Sequence, residues 1–95
     1  MRKETPIERR RREINRSRVE AHRLLAVFNH ESMKDLVRRA LQDLDEADIW
    51  LLETNLDARP PILEIVDFNI RISETRLAQL ASWLSRYGPG ADTIN

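Results

Sequence analysis

Two histidines, four clustered carboxylates and a run of arginines are the side chains in this 95-residue chain whose types could do chemistry. His22 and His30 lie eight positions apart, outside the four-residue spacing that lets two imidazoles on one helix face share a zinc ion. They read as a helix-surface residue and a turn residue. Asp43, Asp45, Glu46 and Asp48 could do acid–base work only where burial or close approach separates their pKa values. A run this polar reads instead as a solvated helix face, without the glycine and loop spacing of a calcium hand. The chain has no cysteine, which removes disulfides and thiolate chemistry, and both glycines, Gly88 and Gly90, lie too late for a phosphate-cradling loop. These residues lead to the expectation of a non-enzymatic protein with no metal and no cofactor.

The arginines are the one patterned feature. Arg2, Arg9, Arg16 and Arg23 recur every seven positions and Arg12 joins them, on the side of a helix opposite Ile7, Ile14, Ala21 and Phe28. From Arg9 to Arg23 such a row is about 21 Å long at helical rise. It could track phosphates through two-pronged guanidinium contacts. The chain is neutral overall, but residues 1–23 hold nine Arg/Lys against four Glu, a net of +5, and the remainder carries −5. That asymmetry calls for a partner. Nucleic acid, RNA or DNA, is the first expectation, with Arg9, Arg12, Arg16 and Arg23 as contacts and a regulatory role in view. The alternative is a structural or adaptor protein that self-assembles or docks on an acidic partner through the same helix. Surface pairs Glu8–Arg12 and Arg16–Glu20 would account for part of the row as ordinary four-apart ion pairs. Arg10 and Arg11 are expected to point away from it.

Two fragments resemble DNA-binding families. Arg9-Arg10-Arg11-Arg12-Glu13-Ile14-Asn15 is similar to the basic region of basic helix-loop-helix proteins, although Ile7 stands where that family has its base-contacting glutamate. Glu46-Ala47-Asp48-Ile49 resembles the start of that family's second helix. Phe68-Asn69-Ile70-Arg71-Ile72-Ser73, with Leu77, Leu80 and Gly88, resembles the strand and first helix of ribbon-helix-helix repressors. That resemblance implies Asn69 and Arg71 as major-groove contacts.

Three helical segments of similar length would position these groups. Ile7, Ile14, Ala21, Leu25 and Phe28 form one apolar stripe over about residues 6–28, and Asn29 suits a left-handed helix end. Ser32 with Asp35 reads as a capping box for a second helix over about 33–57, whose Met33, Val37, Ala40, Leu44, Ala47 and Leu51 have coiled-coil spacing. Pro60 and Pro61 separate it from a third helix over about 61–87, whose seam Leu63, Val66, Ile70, Leu77, Leu80, Leu84 and Tyr87 is broken only by Ser73. Residues 88–95 read as a tail. The expected fold is all-α, one domain, an antiparallel three-helix bundle. The alternating polar and apolar residues from Asp67 to Ile72 leave an α+β alternative with a short strand at about 65–72. A bundle this narrow is expected to form a homo-oligomer that covers Ile65, Ile72 and Trp83. Apolar runs such as Ile49 to Leu52 are far too short for a membrane span, and no apolar stretch follows Met1-Arg2-Lys3-Glu4. Cytoplasm is therefore the expected location.

Overall fold

Thr5 starts the first helix with a reciprocal cap. Its hydroxyl oxygen accepts from the Glu8 backbone N–H at 3.1 Å, and the Glu8 carboxylate accepts from the Thr5 N–H at 3.4 Å. Pro6 fills the first-turn position, where a missing N–H costs nothing. The structure, a computed structural model, describes residues 3–54 and 60–88, and these form three helices: α1 (Pro6–Val27), α2 (Glu31–Thr54) and α3 (Pro60–Tyr87). At helical rise they are about 33, 36 and 42 Å long. Arg2, Asp57, Ala58 and most of the expected tail lie outside the described residues.

The turn between α1 and α2 differs from its expected form. Phe28 ends α1 in an extended conformation (φ −71°, ψ 141°), so no left-handed residue is needed there. Ser32 does not cap α2. His30 does so instead: its Nδ1 accepts from the Ser32 N–H at 3.1 Å, and its carbonyl accepts from Met33 and Lys34. An imidazole nitrogen can serve as the capping acceptor, which moves the helix start to Glu31. At the far end, Gly88 adopts the left-handed conformation (φ +85°) and donates to the Leu84 carbonyl at 2.7 Å, closing α3.

Packing runs up, down, up. Ala21, Leu24 and Phe28 of α1 meet Val37 and Ala40 of α2 and Leu77, Leu80 and Leu84 of α3. At the other end Ile14 meets Leu44, Ala47 and Leu51, together with Val66 and Ile70. Early residues of α1 and α3 thus share a layer with late residues of α2, which makes the bundle antiparallel. Between the two apolar clusters lies a waist of small side chains, the buried Ser17 and Ser73, with Ala40 at the edge of the first cluster beside them. The Ser73 hydroxyl sits 3.0 Å from the Ala40 carbonyl and 2.9 Å from the Asn69 carbonyl and shares its one proton between them. The break in the apolar seam of α3 is therefore a polar contact to α2.

Residues 65–72 are helical and lie within α3, so the strand alternative is set aside, and with it the ribbon of the repressor resemblance. None of the described residues forms a strand. None of the described helices is long and apolar enough to cross a membrane. Trp83, expected under a partner chain, packs within this one: its ring centroid is 6.1 Å from Phe28 and 5.0 Å from Tyr87.

Candidate functional site

The basic helix spends two of its arginines on holding the bundle together. Arg10 is buried, and its guanidinium makes a two-pronged bond to Asp67 of α3 at 2.7 and 2.8 Å, with a third bond to the Pro6 carbonyl at 3.0 Å. It points away from the row Arg9, Arg12, Arg16 and Arg23, and into the bundle. Ile7, Arg10, Ile14, Ser17, Ala21, Leu24 and Phe28 follow one three–four spacing, which puts Arg10 in the seam itself. Arg18 reaches across to α2, bonding Asp45 at 2.7 Å and Asp48 at 3.4 Å. Burial works against its charge, but the two carboxylates outweigh that and raise its pKa above the ordinary arginine value.

The carboxylate cluster of α2 changes meaning with this. Asp45 and Asp48 hold Arg18, and Asp43 bonds Arg76 of α3 at 3.1 Å. Three of the four acids read as a solvated face thus tie α2 to its neighbours, while Glu46 is exposed.

The row Arg9, Arg12, Arg16 and Arg23 does not present four equivalent cations. Arg12 bonds Glu4, with contacts of 2.9 and 3.0 Å. Arg23 bonds Glu20 at 2.6 and 3.0 Å, so Glu20 turns away from Arg16 and the expected Arg16–Glu20 pair is not made. That hydrogen bond from Arg23 lowers the Glu20 pKa against a smaller opposing effect of burial, and Glu20 in turn raises that of Arg23. Arg9 and Arg16 are exposed and make no ion pair among the described residues.

The bundle is a slab of 52 × 28 × 16 Å, in which α1 meets α3 less closely than either meets α2. A groove therefore runs between α1 and α3. Its larger part, about 580 Å³, has Ser17, Leu77, Ala78 and Ala81 on its floor and Arg16, Glu20 and Glu74 on its rim. Val19 borders it and is 71% exposed, the most solvent-facing large apolar side chain among the described residues. Arg9, Glu13, Asp67, Ile70, Arg71 and Glu74 line a smaller continuation of about 260 Å³.

Along α1 the groove is lined by Arg9, Glu13, Arg16 and Glu20, and Arg23 continues the same helix face. These five fall within roughly 80° of one another at 100° per residue. The edge therefore alternates in sign at four–three spacing, and the seven-residue arginine repeat is half of this pattern. The other half, Glu13 and Glu20, was legible in the sequence as a second seven-residue repeat. Outside the groove, α3 exposes Ile65 and Phe68, and α2 exposes Ile49 and Leu52. Among the described residues no group of three histidines or carboxylates is placed to hold a metal ion. No family model, no curated protein and no solved structure matches the chain.

Proposed function

We propose that this chain is a non-enzymatic protein-docking module, and that the α1–α3 groove with its charged α1 edge is its contact surface. The observation that carries this reading is the alternating edge Arg9, Glu13, Arg16, Glu20, Arg23 beside an apolar floor. Small side chains at Ser17, Ala78 and Ala81 let another helix approach closely, and an alternating edge supplies ion pairs that orient it. A phosphate backbone is served less well. Glu13 and Glu20 stand between the arginines and would repel it. Part of the +5/−5 asymmetry is met within the chain, because Arg10 and Arg18 meet acids of its own body.

Fluorescence anisotropy with labelled duplex DNA and a structured RNA tests the reading against its rival. The expected result is no saturable binding at about 50 mM salt. Saturable binding whose log–log salt slope falls by about one unit in Arg9→Ala or Arg16→Ala would replace docking with nucleic-acid binding through the arginine row.

A further inference from the structure

The charged edge of α1 carries a second piece of information, its own complement. Let two copies of α1 lie antiparallel with Arg18 at the two-fold centre. Arg16 then faces Glu20 of the other copy, and Glu13 faces Arg23, each twice by symmetry. A parallel, in-register pair sets Arg16 on Arg16 and Glu20 on Glu20. The code is therefore satisfied by reversal, the arrangement that a self-complementary two-fold interface requires. The same alignment brings Val19 of each copy to the level of the other's Ser17. There the groove has its apolar floor of Leu77, Ala78 and Ala81. A shift by seven residues also pairs opposite charges, but it moves Val19 to the level of Arg10 and Asp67, away from that floor. The exposed Ile65 and Phe68 on the outer side of α3 carry no comparable pattern.

From these two coincident features we infer that the occupant of the α1–α3 groove is a second copy of this chain, docked antiparallel along α1. The inference rests on the docking reading above and names its partner. Exposed ion pairs contribute little affinity and mainly set orientation, so the attraction comes from Val19 and the groove floor. With a contact limited to one helix edge and its groove, the dimer is weak, with a dissociation constant on the order of tens to hundreds of micromolar.

Sedimentation equilibrium on the full chain tests this, up to several hundred micromolar and at low and high salt. Wild type should show a monomer–dimer equilibrium. Arg16→Glu alone and Glu20→Arg alone should each weaken it about tenfold or more, because each places like charges opposite one another. An equimolar mixture of the two variants should recover it as a heterodimer, and so should the double variant R16E/E20R. Circular dichroism checks that each variant is folded; both positions lie at the surface. A chain without native cysteine allows a second readout. Val19→Cys should cross-link to itself through a short bis-maleimide, whereas Ile49→Cys, exposed on α2, should not. A wild type that stays monomeric throughout, single reversals that leave the equilibrium unchanged, or folded variants whose mixture fails to recover it would each overturn the inference. Those outcomes leave the docking reading standing for a different chain, since that reading falls only to nucleic-acid binding through the arginine row.

Discussion

The Arg10 side chain is 8% exposed, whereas that of its partner Asp67 is 39% exposed, and this inequality makes the pair asymmetric to break. Asp67→Ala leaves a buried cation without its counter-charge. Arg10→Met keeps most of the aliphatic packing and leaves a carboxylate that water can reach. We expect Asp67→Ala to cost about 2–3 kcal/mol and Arg10→Met about 1 kcal/mol, measured by chemical denaturation at unchanged slope. Equal costs would mean that the unequal burial of the two side chains does not set what the pair costs to break. The residue scale is where the sequence is least legible. Arg10 occupies a seam position by spacing, but composition assigns an arginine to solvent, and only its distance to Asp67, 57 positions away, resolves the conflict. Ser73 is the same case in α3: a polar residue in an apolar seam, explained by the Ala40 carbonyl on another helix.

At the scale of the elements, sequence and structure agree more closely, because each helix is set by periodic residues close together in the chain. The three–four spacing of Val66, Ile70, Ser73 and Leu77 prevails over the alternation from Asp67 to Ile72, since burying that face closes a three-helix core whereas a lone strand has nothing to pair with. The start of α2 lies two residues before its expected place for a local reason: serine is the commoner cap, but the imidazole of His30 supplies the acceptor. The charged edge of α1 was half legible. Its arginines stand out by number, and the glutamates that turn a basic row into an alternating one do not. Glu20 offers a direct check on that edge. Its carboxyl is held below the ordinary glutamate range, mainly by the hydrogen bond from Arg23. Its contribution to stability is therefore present above that range and is lost as pH falls through the lowered value. Titration followed by carboxyl-carbon NMR should place the Glu20 midpoint higher in Arg23→Ala than in wild type. An unmoved midpoint would show that the pair does not persist in solution. The pair is at the surface, so the accompanying change in stability should be small.

For the molecule as a whole, the charge split between its first 23 residues and the rest has an internal use: Arg10 and Arg18 of α1 are matched by Asp67 of α3 and by Asp45 and Asp48 of α2. Net charge by segment cannot distinguish a surface that seeks a partner from two helices that already attract one another. The small-residue waist at Ser17 and Ser73 has a further consequence. It divides the apolar interior into two cooperative blocks that need not open together. Among the described residues, the block around Phe28, Val37 and Leu80 has seven buried side chains besides Ala40 and is reinforced by the Phe28–Trp83–Tyr87 ring contacts, whereas the one around Ile14, Leu51 and Val66 has six. Native-state amide exchange should therefore resolve two classes of slow protons, with those near Leu51 and Val66 released at lower denaturant than those near Val37 and Leu80. A single exchange isotherm for both sets would mean that the serine hydroxyl couples the halves into one unfolding unit.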